Sequence, residues 1–355
     1  MLHLCRLAYH LDTVNGCGVR LAGCTRTAAN GVMQFTPHSI GRGRRGISSY
    51  SIGPGPGRGF AVSIEQVCMT SPPCAFTVDV EDYFQVDAFS RVIDPSDWDS
   101  FGSRVVANTG RLLDLLDRHQ VHGTFFVLGW IAVRHPELVR SIVARGHELA
   151  SHGMSHQRIV TQTPAVFRQE TRDSKRLLED LGQVAVTGYR AATYSITRDS
   201  LWALDILKEE GFEYDSSIFP VRHDRYGIPD AQTVPHRLTT PEGRTLVEYP
   251  LTAVEVFGQN IPMAGGGYFR LFPYGLTRWG LSRVRAQGRP VVFYLHPWEV
   301  DPEQPRIADA GWRSRFRHYL NLHRTLPRLE QLLADFRFST MRECLVAEGL
   351  LSASE

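Results

Sequence analysis

From about residue 74 onward, short apolar runs alternate with helical patterns six or seven times. No other feature restricts the fold as much, because a repeated strand–helix unit implies a parallel sheet, barrel-like or doubly wound, covered by helices. Cys74 to Val80 (CAFTVDV) and Gly123 to Leu128 (GTFFVL) are the first strands, and His147 to Ser151, Ala185 to Tyr189 and Arg289 to Leu295 continue the series. Between them, Val105 to His119 sets Leu112, Leu113, Leu115 and Leu116 at helical spacing. Pro136 opens a helix that Gly146 closes, and Thr163 caps another that runs from Pro164 to Leu181. Further helices are expected over 198–210, 274–287 and 312–335, with a loop-rich insert at about 219–272 and a helical extension at the C-terminal end. The last helix is basic and amphipathic, and reads as a solvated face packed on the barrel rather than a membrane anchor.

In a parallel barrel the reactive side chains stand at the C-terminal ends of the strands. Asp79, Glu81 and Asp82 end the first strand, His152 and His156 follow another, Arg190 ends a third, and His296 ends the late VVFYL strand. All fall on one face. The stretch Ser151-His152-Gly153-Met154-Ser155-His156 sets two imidazoles four residues apart, a spacing that suits a metal ion; a catalytic site usually needs a third protein ligand beside them. One of the three carboxylates could complete such a set while a neighbour acts as general base, and the ion would relieve their mutual repulsion.

The 355 residues are 43% hydrophobic and 21% charged, enough for a buried core. A net charge of +2 without a concentrated basic face gives no sign of a nucleic-acid partner. Six cysteines, four of them before residue 70 and none in a CxxC pair, argue against a structural zinc knuckle and fit a reducing compartment. No apolar run reaches the roughly 18 residues that span a bilayer, so no stable membrane insertion is expected. A cytoplasmic location, or one at the inner face of the membrane, follows from that reading. Residues 1–68 differ from the remainder: they are rich in Arg, Gly and Pro and hold only Asp12 and Glu65 as carboxylates. They read as a disordered or mis-assigned extension, with translation starting at Met69, and residues 69–355 as the functional domain.

With VDVEDYF, SHGMSH, GYRAATYS, YDSSIFP and FYLHPWE in this order over residues 74 to 300, the chain resembles the polysaccharide deacetylases with a NodB-homology domain, carbohydrate esterase family four. VDVEDYFQV, GGGYFR and FYLHPWE are most similar to the subgroup associated with exosortase and exopolysaccharide loci, related to the allantoinase-like and peptidoglycan deacetylase branch. The resemblance implies a distorted (β/α) barrel of about seven parallel strands and one divalent metal ion, expected to be zinc. It implies that His152 and His156 bind the ion with one carboxylate, that His296 is the general acid, that Arg190 orients the base and that Asp215 tunes His296. Relatives often carry adjacent aspartates in the first motif. Here Asp79 is expected as base and Asp82 as metal ligand, with Glu81 the alternative to Asp82. Ala192 replaces a usual proline, which bears on the local loop shape. The implied activity is hydrolysis of N-acetyl groups on a polysaccharide or its lipid-linked precursor. Hydrolysis of a small cyclic amide and non-catalytic carbohydrate binding are the other readings, and the sequence does not speak to oligomeric state.

Overall fold

The structure, a computed structural model, describes residues 73–353 except 224, and upstream only the backbone of an antiparallel pair, β1 (Ser48–Tyr50) with β2 (Val62–Ile64). Apart from that pair, the expectations for residues 1–68 lie outside the described residues. Met1–Ser71 and Pro72–Glu355 are separate units, and the second holds every candidate site residue.

A strand that reads CAFTVDV has apolar side chains for both faces, which suits only the interior of a sheet covered on both sides. β3 (Cys74–Val80) occupies that position, with all seven residues buried. Its parallel neighbours are β4 (Thr124–Val127) on one side and β12 (Val292–Leu295) on the other. The sheet continues through β5 (Glu148–Ser151), β6 (Gly188–Tyr189), β7 (Tyr214–Asp215) and β9 (Thr245–Glu248), all parallel, and ends at β8 (His236–Thr239), antiparallel to β9. Seven parallel strands thus lie on one path, and β13 (Phe338–Ser339) adds a short parallel pairing to the start of β3. The α/β sheet curls as an open, distorted barrel. Among the described residues β8 and β12 do not pair with each other; Tyr294 in β12 instead donates its N–H to Ala264 at 2.9 Å.

Helices cover the sheet where the sequence places them: α1 (Val105–His119), α3 (Pro136–Ala144), α4 (Pro164–Gly182), α5 (Trp202–Glu209) and α7 (Tyr274–Ala286), joined by a short α2 (Gly129–Arg134) that the sequence pattern does not predict. Thr163 caps α4 by accepting from the Val166 N–H, ahead of Pro164 in its first turn. Among the described residues, no helix is long and apolar enough to cross a membrane.

Three expectations change. Residues 219–272 are more ordered than a loop-rich insert: they supply β8 and β9, the hairpin β10 (Ala253–Val256) with β11 (Gln259–Pro262), and α6 (Gly266–Leu271). The hairpin turn at Phe257-Gly258 has positive φ at both residues (49° and 74°), the geometry that matches strand twist but is rarely signalled by Phe. The expected helix over 312–335 is two, α8 (Trp312–Tyr319) and α9 (Thr325–Asp335), followed by α10 (Met341–Ala347). Asn321 breaks it: the residue is left-handed (φ 53°) and its amide donates to Arg270 O at 2.9 Å. Helix α8 packs inward only at its C-terminal end, where His318 stacks on Trp298 and Tyr319 meets Phe89, while Trp312 is 74% and Phe316 57% exposed.

Asp215 and Glu248 stand opposite each other on β7 and β9, both fully buried. Burial raises Asp215 to about 6, and burial together with the Asp215 charge pushes Glu248 well above the usual carboxylate range. Both folded values lie above the unfolded ones, so the pair's stabilisation is complete below about pH 4 and fades as pH rises through 6. In a pH series of thermal unfolding, E248Q should gain on the wild type between pH 4 and 8, by on the order of 1 kcal/mol; parallel curves would show that the two carboxyls are not coupled.

Candidate active site

Alternation along β3 decides which carboxylates meet. Side chains two residues apart share a face of an extended strand, so Thr77, Asp79 and Glu81 turn to one side and Asp82 to the other. Asp82 caps α1 instead: its Oδ2 accepts from the N–H groups of Arg104 (2.8 Å) and Val105 (3.1 Å) and from Ser103 Oγ (2.7 Å), and Oδ1 accepts from the Tyr83 N–H. The expectation of Asp82 as metal ligand is corrected accordingly. Its acceptor capacity goes to a helix end that would otherwise leave buried donors unpaired.

Glu81 takes the place beside the histidines. One ligand atom each from Glu81, His152 and His156 lies within 4.8 Å of the others. His152 Nδ1 is 2.8 Å from Arg190 O; a carbonyl only accepts, so Nδ1 carries the proton and Nε2 is left with its lone pair, as a metal ligand requires. Burial lowers His152 to about 4, against the pull of Asp79, which keeps the ring neutral. Glu81 Oε2 is buried, 2.6 Å from His156 Nε2, yet no donor is aligned on it. Two electron-rich atoms converging off the hydrogen-bond line suit a shared cation, and the donor set of two imidazoles and a carboxylate is that of catalytic zinc sites. The residues present therefore fit a divalent ion.

Asp79 lies on the other flank of Glu81. Its Oδ1 accepts from Arg190 Nη1 at 2.6 Å and Oδ2 from the Tyr194 hydroxyl at 3.2 Å. Burial works against its charge, but Arg190 and then His152 outweigh that and hold the carboxyl below its usual range. Arg190 is fully buried and fixed by Thr77 Oγ1 (2.8 Å), Ser216 O (3.2 Å) and Ser216 Oγ (3.1 Å), over the ring of Phe126.

His296, at the end of β12, brings Nε2 to 3.4 Å from Glu81 Oε1 and 4.0 Å from Asp79 Oδ2. Its Nδ1 donates to Glu299 Oε1 at 2.9 Å, and Glu299 is paired with buried Arg270 at 2.7 Å. Burial disfavours the imidazolium, yet Glu81 and Glu299 raise His296 to about 9. Trp298 stacks on the ring, 5.3 Å between centroids. Gly266 lets Glu299 approach, since a Cβ there would overlap the carboxylate. Asp215 does not reach His296. It accepts from Ser217 N and Oγ (3.1 and 2.6 Å), and Ser217 Oγ accepts from the Ala191 N–H, so Asp215 braces the loop after Arg190. Glu299 holds the position expected of it; the signal was a carboxylate three residues past the histidine in HPWE. Tyr194 and Arg270 lie inside the motifs GYRAATYS and GGGYFR, but those motifs alone did not show that Tyr194 reaches Asp79 or that Arg270 pairs with Glu299.

Three non-glycine residues in the site are left-handed: His156 (φ 56°), Thr193 (φ 55°) and Tyr194 (φ 51°). For a β-branched residue such as Thr193 this is strained, costing on the order of 1–3 kcal/mol, and such residues gather at functional sites. A cavity of about 280 Å³ borders His156, and one of about 610 Å³ is lined by Tyr226, whose ring packs on Tyr194. Arg225 pairs with Asp87 between the loop that carries Tyr226 and the segment after β3.

Residues 98–214 match the polysaccharide deacetylase family, and residues 216–346 match a domain of unknown function, DUF3473. A chitooligosaccharide deacetylase of Bradyrhizobium sp. is 35% identical over 99 residues, 28% of this chain and 43% of that protein. The peptidoglycan-N-acetylglucosamine deacetylase PgdA of Listeria monocytogenes is 35% identical over 80 residues, 22% of this chain and 17% of that one. The chain spans less than half the length of these relatives. Among solved structures, a protein from Mycobacterium smegmatis described as a polysaccharide deacetylase superposes with a TM-score of 0.53 at 24% identity, covering 81% of this chain and 96% of its own. A Puue allantoinase gives 0.52 at 16% identity, covering 79% and 91%, so the likeness to both is one of fold. The chain carries a polysaccharide deacetylase domain over residues 98–214. Its candidate site draws on more than the matched segment, because His152, His156 and Arg190 lie inside 98–214, Asp79 and Glu81 precede it, and His296 and Glu299 fall in the DUF3473 match.

The two acidic neighbours can be separated by experiment. In zinc titrations against a competing chelator, E81Q should weaken binding by about 100-fold or more, since a first ligand is lost. D82N should bind zinc like the wild type but unfold more easily by about 1 kcal/mol, the usual worth of a helix cap. Weak zinc binding in D82N with E81Q intact would reverse the assignment.

Proposed function

We propose that the chain is a metal-dependent hydrolase that removes acetyl groups from N-acetylated sugars of a polysaccharide or its lipid-linked precursor, in exopolysaccharide biosynthesis. One observation carries the reading: beside the Glu81, His152 and His156 cluster lie a fixed carboxylate, Asp79, and a histidine, His296, whose environments push their proton affinities apart. Divergent titration of neighbouring groups marks an acid and a base. Similarity to chitooligosaccharide and peptidoglycan deacetylases supports the substrate class.

Glu81, His152 and His156 would hold the ion, with zinc our choice; such an ion polarises an acetamide carbonyl and makes water acidic near neutral pH. Asp79, kept ionised and oriented by Arg190 and Tyr194, accepts a proton from the attacking water. His296, protonated and aligned by Glu299, donates to the departing amine from Nε2. In the loop after Arg190, the N–H groups of Arg190, Ala191 and Tyr194 are engaged by Ser151 O, Ser217 Oγ and Ala191 O. Ala192 and Thr193 are left as the donors for a developing oxyanion, each worth a few kcal/mol in such a role. The cavity beside His156 and the larger one beyond Tyr194 favour an extended glycan over a small cyclic amide.

Acetate release from N-acetylglucosamine oligomers by the full chain tests this. Chelation and H152A should each abolish release and added zinc should restore it for the chelated wild type alone, while D79N and H296A should lower kcat by about 10²–10⁴ with little change in KM. Release that survives both chelation and H152A would refute the proposal, and turnover of a cyclic ureide without release from any glycan would replace it.

A further inference from the structure

The larger cavity, about 610 Å³, sets aromatic rings against arginines: Tyr226, Tyr268, Trp312 and Phe316 line it together with Arg313 and Arg317. Helix α8 brings four of these six residues and contains no acid. Among the described residues, neither Arg313 nor Arg317 has a carboxylate partner. Both walls lead to the candidate site. Tyr226 packs edge-on against Tyr194, 6.0 Å between centroids, and the Tyr194 hydroxyl bonds Asp79. Tyr268 follows Gly266, which lies against the Glu299 that holds His296. The cavity thus connects to Asp79 through Tyr226 and Tyr194, and to His296 through Gly266 and Glu299.

Flat aromatic faces offer apolar area for sugar rings at low entropic cost, and guanidinium groups read carboxylates and phosphates through paired hydrogen bonds. Two arginines with no internal acid are cations waiting for an external anion. Resting on the deacetylase reading, we propose that this cavity is a subsite for an acidic glycan. A sugar next to the N-acetylated unit would stack on Trp312 or Tyr268 and present a carboxylate or phosphate to Arg313 and Arg317. An anionic lipid surface would also attract the basic helix. The concave wall and its continuity with the site favour a chain that threads past Asp79 over a flat membrane.

The test uses the full chain, with calorimetric binding and acetate release measured side by side. The probes are a heparosan hexasaccharide (alternating glucuronate and N-acetylglucosamine), a short prenyl-pyrophosphoryl N-acetylglucosamine, neutral N-acetylchitohexaose, and phosphatidylglycerol vesicles. The wild type should bind an acidic probe about tenfold more tightly than the neutral one, with the preference shrinking as salt rises. The preferred acidic probe distinguishes carboxylate from phosphate. R313Q/R317Q should bring that affinity down to the neutral level at an unchanged thermal midpoint, and W312A should weaken acidic and neutral binding alike. Equal affinity for acidic and neutral glycans, or vesicle binding that the double variant loses while glycan preference persists, would overturn the subsite. Acidic preference without acetate release from any glycan would keep the subsite and sink the deacetylase reading.

Discussion

The buried guanidinium of Arg190 fixes the architecture of the site. A charge taken out of water is tolerated only when its partners are already in place. Here they come from separate strands: Thr77 and Asp79 from β3, Ser216 from just after β7, with the Phe126 ring of β4 beneath. Asp79 is thereby held ionised, Tyr194 is drawn to its free oxygen, and the Arg190 carbonyl sets the tautomer of His152. One side chain thus orders a carboxylate, an imidazole and a loop.

A second buried pair, Arg270 with Glu299, does the corresponding work for His296. The two networks meet beside the Glu81 and histidine cluster, where His296 Nε2 lies 3.4 Å from Glu81 Oε1 and 4.0 Å from Asp79 Oδ2. Removing one member of such a pair leaves the other as an unpaired buried charge, which costs more than the pair contributes. Backbone strain at His156, Thr193 and Tyr194 is carried by the same framework: loop ends tied into the sheet hold φ angles that free loops avoid.

The large features were legible in the sequence because they rest on local periodicity. CAFTVDV reads as a central strand from its own residues, and α1, α3 and α4 follow from apolar spacing and caps. The histidines and Arg190 were legible as strand-end residues on one face. Elements that depend on distant partners were not. Strand β9 looks like loop on its own and becomes a strand by pairing with β7; the break at Asn321 depends on the Arg270 carbonyl that its amide reaches.

By itself the sequence determined a parallel α/β barrel, a two-histidine motif at a strand end and three carboxylates within reach of it, since each follows from spacing along one segment. Only the tertiary structure decided among those carboxylates. Alternation past Val80 separates Glu81 from Asp82, but what draws Asp82 away from the histidines is the start of α1, more than twenty residues on, whose N–H groups it accepts from. The same holds for Asp215 and Glu299, because which carboxylate faces His296 depends on how β7 and the turn after β12 pack, and no spacing within either segment encodes that.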